Sequence, residues 1–141
     1  MIHHFDALLR DLNLKITPKR RAILDILAGA GGYASPEEVW RELKQRFARI
    51  GLPTVYRNLE ELAAGGVLAT ILHPDRKLYY YYCDNRSHHH HFVCLSCRRV
   101  EDVAFCGLAE IEKRIGGRVV SHIVQVNGFC RTCLDAKEGM Q

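Results

Sequence analysis

Two Cys-x-x-Cys knuckles constrain this chain more than any other feature: Cys94-Leu95-Ser96-Cys97 and Cys130-Arg131-Thr132-Cys133. Two thiols separated by two residues can grip one ion from a single bend of backbone, and two such bends supply four thiolates. Four thiolates fill the tetrahedral shell of zinc at Zn–S distances of about 2.3 Å and leave no open position. The spacing therefore predicts a structural zinc ion held by Cys94, Cys97, Cys130 and Cys133. Redox dithiols use the same spacing, so compartment matters. Residues 1–20 hold Asp6, Asp11 and several basic residues but no long apolar run, which argues against a signal peptide. No apolar stretch approaches the roughly 20 residues needed to cross a bilayer. A cytoplasmic protein without membrane association is expected, and in that reducing setting metal binding is the favoured use of paired cysteines.

Two residues separate the run His88-His89-His90-His91 from the first knuckle that follows it. On a strand, successive side chains face opposite sides. His89 and His91 then point one way and His88 and His90 the other, so one run can serve two metal sites. Borderline metals favour histidine and cysteine together. Further candidate donors are Cys83, six residues before His89, Asp102, five residues after Cys97, and His122, within a strand expected over Val119–Val126. Leu108, Ile111 and Ile115 predict a short helix ended by Gly116-Gly117. Residues 84–141 thus read as a small α/β unit of three strands and one helix. Its core is small enough to need zinc and a partner subunit.

Residues 1–83 read differently. A leading helix near 4–13 carries Phe5, Leu8, Leu9 and Leu12. Thr17-Pro18 opens a helix, with Thr as cap and Pro in the first turn, and Gly29–Gly32 ends it. Ser35-Pro36-Glu37-Glu38 is a capping box, followed by an apolar stripe of Val39, Leu43 and Phe47 that Gly51 breaks. Pro53 opens a third helix with Val55, Leu59 and Leu62 inside and Thr54, Arg57, Asn58 and Glu61 outside. Val67–Leu72 and Leu78–Tyr82 form a hairpin across a turn at 73–77. Helix, turn, helix, hairpin is the order of a winged helix-turn-helix domain, whose last helix enters the major groove by its N-terminal residues. Thr54, Tyr56, Arg57 and Asn58 lie there, and such side chains suit base edges and phosphates. Arg10, Lys15, Lys19, Arg20 and Arg21 stand against one acid, Asp11, in a local patch that fits a polyanion.

The fold class is therefore α+β, with an N-terminal winged-helix domain (1–83) and a C-terminal metal-binding α/β domain (84–141). In order and spacing, Ile16-Thr17-Pro18-Lys19-Arg20, Pro53-Thr54-Val55-Tyr56-Arg57-Asn58-Leu59, the His88–Cys97 run and Cys130-x-x-Cys133 resemble the ferric uptake regulator family, over nearly the whole chain. The resemblance implies a homodimeric, metal-dependent transcriptional repressor that binds double-stranded DNA at a pseudo-palindromic operator. Its C-terminal domain is the dimerisation domain. Tyr56 and Arg57 match recognition-helix positions, and Lys15 matches a residue that reaches toward the minor groove. Cys83, His89, His91 and Asp102 match a regulatory metal site between the domains. His88, His90 and His122 match a further site that needs a carboxylate, for which Glu110 is the nearest candidate.

Where this chain departs from the pattern, its chemistry shifts. Iron and peroxide sensors of the family usually have His where Tyr33 stands and a carboxylate where Cys83 stands. A thiolate moves preference from Fe²⁺ or Mn²⁺ toward Zn²⁺, so zinc is the expected regulatory metal, with iron or manganese as alternatives. The zinc branch commonly draws a ligand from the first wing strand, where this chain has Ala69; His73 is the nearby substitute. Cys106 matches no family role and reads as a small apolar residue. Two other classes would demand different residues. A zinc hydrolase or deaminase needs an open coordination position and a general-base Glu beside the ligands; the histidine run contains no Glu, and four thiolates close the first site. No enzyme is expected. A redox sensor acting through Cys83 or Cys106 would need exposed thiols of low pKa.

Overall fold

A computed structural model describes residues 4–83, 85 and 87–139, with side chains through 136. The chain divides into two compact units, Met1–Asp84 and Asn85–Gln141.

In the first unit, α1 (Asp6–Asp11) precedes α2 (Pro18–Gly29), α3 (Pro36–Leu43) and α4 (Leu52–Ala64). Local chemistry sets these boundaries. The Thr17 hydroxyl accepts the Arg20 N–H at 3.1 Å. The Ser35 hydroxyl accepts the Glu38 N–H at 3.1 Å, while the Glu38 carboxylate accepts the Ser35 N–H at 3.2 Å, closing the capping box. Helix α3 stops at Leu43, short of the stripe expected to run through Phe47. There the Gln45 and Arg46 N–H groups bond to Glu42 and Leu43, a tightening that ends the α-helical ladder. Phe47 still packs against the core from the turn that follows. Gly66, at φ +91°, makes the left-handed exit from α4, and the Val67 N–H bonds back to the Leu62 carbonyl.

Strands β1 (Leu68–Leu72) and β2 (Leu78–Tyr82) pair antiparallel, Thr70 opposite Tyr80. Ala34 adds a bridge to Tyr80 ahead of α3. This is a winged helix: α3 and α4 form the helix-turn-helix and β1–β2 the wing. Leu9, Ile23, Leu24, Leu27, Val39, Leu43, Val55, Leu59 and Leu62 are sealed from solvent at its centre. Each such side chain contributes roughly 1.5–3 kcal/mol by leaving water.

The second unit holds β3 (His90–Cys94), β4 (Val100–Val103), α5 (Leu108–Ile115), β5 (Gln125–Gly128) and α6 (Arg131–Gly139). Strand β3 is central, antiparallel to β4 and parallel to β5. Two expectations change here. The strand placed over Val119–Val126 exists only from Gln125, because pairing with β3 begins at His91 opposite Gln125. His122 therefore lies in the segment before the strand. Helix α6 was not foreseen, since it grows directly out of the second knuckle. Burial is sparse: among the largest fully buried side chains, Val93 is the one from this unit.

Candidate metal centres

The two knuckles converge in the second unit. Cys94 ends β3, and Cys97 lies in the tight turn that leads to β4. Arg98, at φ +70°, makes the left-handed step out of that turn. Cys130 follows β5, and Cys133 sits in the first turn of α6. The Sγ atoms of Cys94 and Cys133 are 3.7 Å apart, as are those of Cys97 and Cys130. A tetrahedron with Zn–S bonds of about 2.3 Å has S···S edges of about 3.8 Å, whereas a disulfide brings sulfurs to about 2.05 Å. The spacing is that of a metal cage. Burial opposes ionisation of Cys94, but N–H groups of Cys97, Cys130 and Ser96 directed at its sulfur outweigh that and bring its pKa to about 6. Cys133 feels the Ser96 hydroxyl in one direction, and in the other Cys130 and desolvation, which together push it up to about 11. The cage thus holds one ready thiolate, stabilised by backbone dipoles, beside Cys97 and Cys133, whose thiols are held above the usual value.

The histidine run sorts to two sides as alternation predicts, although only His90 and His91 lie within β3 and His88 and His89 precede it. His89 and His91 stack edge to face on one side, ring centroids 4.7 Å apart, and their Nε2 atoms lie 3.1 Å from each other. Asp102, opposite His91 on β4, brings Oδ1 to 3.8 Å from His89 Nε2 and 3.6 Å from His91 Nε2. Asn85 donates to the other carboxylate oxygen at 2.8 Å, which fixes the rotamer. The Ser87 carbonyl, 2.7 Å from His89 Nδ1, can only accept, so that nitrogen carries the proton and Nε2 keeps its lone pair for a metal. Burial, and then the neighbouring His89, lower the pKa of His91, which favours the neutral ligand form.

On the other side, His88, His90 and His122 form a second cluster, centroids 4.7 to 4.9 Å apart. Their fourth neighbour is not the expected carboxylate. Glu110 accepts from Arg114 at 3.0 Å along α5 and stands outside the cluster. Cys106 takes the place instead, its Sγ 3.1 Å from His122 Nε2. The apolar role first assigned to Cys106 is therefore corrected: the thiol is half-buried and faces three imidazoles. His73 likewise joins no donor cluster among the described residues. Its Nδ1 accepts the Asp75 N–H at 3.0 Å, and its ring packs against Tyr79 in the wing turn.

In the first unit, Tyr56 and Arg57 are exposed near the start of α4, and Lys15 is exposed ahead of α2. The Tyr56 hydroxyl donates to Glu37 at 2.7 Å, holding that carboxylate below its usual pKa. Thr54 and Arg57 line a cleft of about 360 Å³ with Thr17, Lys19 and Asn58, where the N-termini of α2 and α4 meet. Asn58 is not a surface residue. It is 8% exposed, accepts from Arg20 Nε at 3.1 Å and donates to the Thr54 carbonyl at 2.9 Å. Its position, three after Val55 and four before Leu62, puts it on the inner stripe of the helix. Arg20 also donates to the Lys15 carbonyl and pairs with Glu61, and Arg21 makes a bidentate pair with buried Asp6. Two members of the basic patch are therefore internal braces. Arg20, read from the sequence as part of a DNA-facing patch, instead ties Lys15 to α4.

A model of the ferric uptake regulator family matches residues 11–127. The chain belongs to that family. It is 35% identical over 124 residues to the zinc uptake regulation protein of Mycobacterium tuberculosis, covering 85% of this chain and 95% of the relative. It is 26% identical over 129 residues to the peroxide operon regulator of Bacillus subtilis, covering 89% and 88%. Among solved structures, a zinc uptake regulator complexed with zinc and DNA shares the fold at a TM-score of 0.77 and 21% identity, covering 94% of this chain and 92% of that one. The Vibrio cholerae ferric uptake regulator matches at 0.61 and 28%, covering 89% and 98%. This family member is a transcriptional regulator and not an enzyme. No helix among the described residues is long and apolar enough to cross a membrane.

Proposed function

We propose that this regulator is a zinc-responsive repressor that binds a pseudo-palindromic operator in double-stranded DNA as a homodimer. The observation that carries the reading is the run His88–His91, which leads into β3 and presents a donor set on each side, His89 and His91 with Asp102, and His88 and His90 with His122. Cys94, Cys97, Cys130 and Cys133 hold a structural zinc whose contribution is to fold the second unit. Cys83, directly after β2, is the proposed fourth donor to His89, His91 and Asp102. When bound there, zinc supplies a cross-link and two positive charges. Donors drawn from both halves of the chain link them through the ion, and they shift the population toward the DNA-competent pose only as far as they bind the ion more tightly in that pose. Tyr56 and Arg57, with Thr54 at the cleft, meet base edges and phosphates in the major groove, and Lys15 reaches the neighbouring backbone. Asn58 serves this face by holding Arg20.

Zinc is preferred over iron or manganese because Cys83 is a soft donor where hard-metal sensors place a carboxylate. Tyr33, at the family's histidine position, is 3% exposed and packs edge-on against Tyr79. Homodimerisation is supported by apolar side chains that the single chain leaves uncovered in the second unit, including Phe105 at 79% and Val120 and Ile123 at 94% exposure.

The test is operator affinity in buffered free Zn²⁺, Fe²⁺ and Mn²⁺, with structural zinc retained, for wild type and Cys83→Ser. Tightening by zinc at the lowest free concentration, lost in Cys83→Ser, is expected. Tightening by Fe²⁺ or Mn²⁺ where zinc does nothing, with Cys83→Ser unaffected, would return the protein to the iron or peroxide branch.

A further inference from the structure

The connection between β4 and α5 brings Cys106 to the three histidines on the second side of β3, at the place where a carboxylate was expected. His88, His90, Cys106 and His122 each offer one donor atom, and all four lie within 4.8 Å of one another. His122 Nε2 is 3.2 Å from His88 Nε2 and 3.1 Å from Cys106 Sγ. Tetrahedral zinc with Zn–N of about 2.0–2.1 Å and Zn–S of about 2.3 Å has edges of about 3.3–3.6 Å, so the group needs little movement to close. An independent observation points to an occupant. His90 is 4% exposed, and its Nε2 is the buried side-chain nitrogen or oxygen that lacks a hydrogen-bond partner among the described residues. A buried imidazole nitrogen left unsatisfied is costly, and what surrounds this one is two imidazoles and a thiol. Nearby carboxylates are engaged elsewhere: Glu110 with Arg114, and Glu112 with the Val119 N–H at 2.9 Å.

We propose that Cys106 is the thiolate ligand of a His₃Cys metal site with His88, His90 and His122, and that it makes this site selective for zinc-like borderline-soft ions over Mn²⁺ and Fe²⁺. The proposal rests on the reading that these histidines bind metal. Its own content is the identity of the fourth donor and the selectivity that follows, since thiolates favour zinc while carboxylates suit manganese. The site also has a structural consequence. Helix α5 has no buried residue, yet Cys106 precedes it and His122 follows it, so closing the site pins both ends of the helical segment to β3.

The experiment uses the full-length protein, reduced, with its structural zinc retained and verified by elemental analysis, in a Cys83→Ser background that removes the other thiol donor outside the knuckles. Co²⁺ is titrated and the thiolate-to-cobalt charge-transfer band followed; Zn²⁺ affinity is measured by chelator competition. The expected result is a charge-transfer band that Cys106→Ser abolishes while the ligand-field bands from the histidines persist. Zinc affinity at this site should fall more than about 100-fold in Cys106→Ser, because removing even an outer-shell partner costs about 10–100-fold. Cys106→Asp should recover binding with relative affinity moved toward Mn²⁺, which separates lost ligation from misfolding. Cobalt binding that His122→Ala weakens but that shows no thiolate band, with zinc affinity unchanged in Cys106→Ser, would overturn the role of Cys106 and leave the histidine site standing. No cobalt binding sensitive to His88→Ala or His122→Ala would remove the histidine site and the proposal with it.

Discussion

At the scale of single residues, polarity misleads where periodicity does not. Asn58 was grouped with Arg57 because both are polar and both open the recognition helix, but helical spacing places it beside Val55, Leu59 and Leu62. The two residues should therefore fail differently. Asn58→Ala removes the acceptor of Arg20 Nε and leaves a buried guanidinium nitrogen unpaired, at a cost of about 2–3 kcal/mol in a denaturant titration. Arg57→Ala should leave the midpoint unchanged and weaken operator binding. Equal stability loss in both variants would contradict the assignment. A second residue-scale expectation concerns Cys94. Its thiol already ionises near pH 6, helped by N–H groups, whereas Cys97 and Cys133 are raised above the usual thiol value. Zinc loading of the cage at pH 7.5 should release fewer protons than its four ligands, and the release should approach four only below pH 6. Calorimetry in buffers of different ionisation enthalpy measures that number. The four cage ligands were legible because Cys-x-x-Cys spacing is itself the geometry. Cys106 was not, because nothing in the sequence around a lone cysteine says which loop will swing it toward which strand.

At the scale of elements, the two halves are held together by different forces. Capping chemistry and the apolar stripes of α2, α3 and α4 make the winged helix legible in the sequence, since each boundary has a local cause in Thr17, Ser35, Gly51 or Gly66. In the second unit, local causes run out. Val120 and Ile123 look like strand residues, yet β5 begins only at Gln125, because a strand exists where a partner is in register and β3 offers one only from His91 onward. Helix α6 depends on Cys133 being gripped, a long-range condition. Stripping zinc with a chelator under reducing conditions should therefore unfold β3–α6 while the first unit keeps its helices. Hydrogen exchange resolved by segment reads this out: protection lost at 90–136 and retained at 18–64. Simultaneous loss in both would show that one cooperative core spans the chain. In the zinc-free protein, acid should weaken the second unit further. The His90 imidazole titrates below the ordinary histidine value, first because it is buried and then because His88 and His122 adjoin it. The unfolded chain binds that proton more readily, so stability should decline as pH drops below about 6.5 and be unaffected by this group at higher pH.

At the scale of the whole molecule, a net charge of +4 is a weak argument for DNA binding, and placement decides. The fold removes Arg20 and Arg21 from the available set by pairing them with Glu61 and Asp6. Lys15, Lys19 and Arg57 form no ion pair among the described residues, and Lys19 and Arg57 line the cleft where two helix N-termini converge. In the proposed complex the backbone dipoles, the Lys19 ammonium and the Arg57 guanidinium there would act on the same phosphates. Each phosphate neutralised releases counterions, so operator affinity should fall linearly with salt on logarithmic axes. A homodimer doubles every contact. Lys15→Ala should lower the magnitude of that slope by about 2, one for each subunit, and weaken binding uniformly across operator sequences. Tyr56 should behave otherwise: it exchanges a hydrogen bond to Glu37 for a contact to DNA, so Tyr56→Phe should change preference among operator variants with little change in slope. Ile123→Asp tests the doubling itself. A charge on that exposed apolar segment should give monomers by sedimentation and a slope of about half the wild-type value, because a lone wing can neutralise the phosphates of only one half-site.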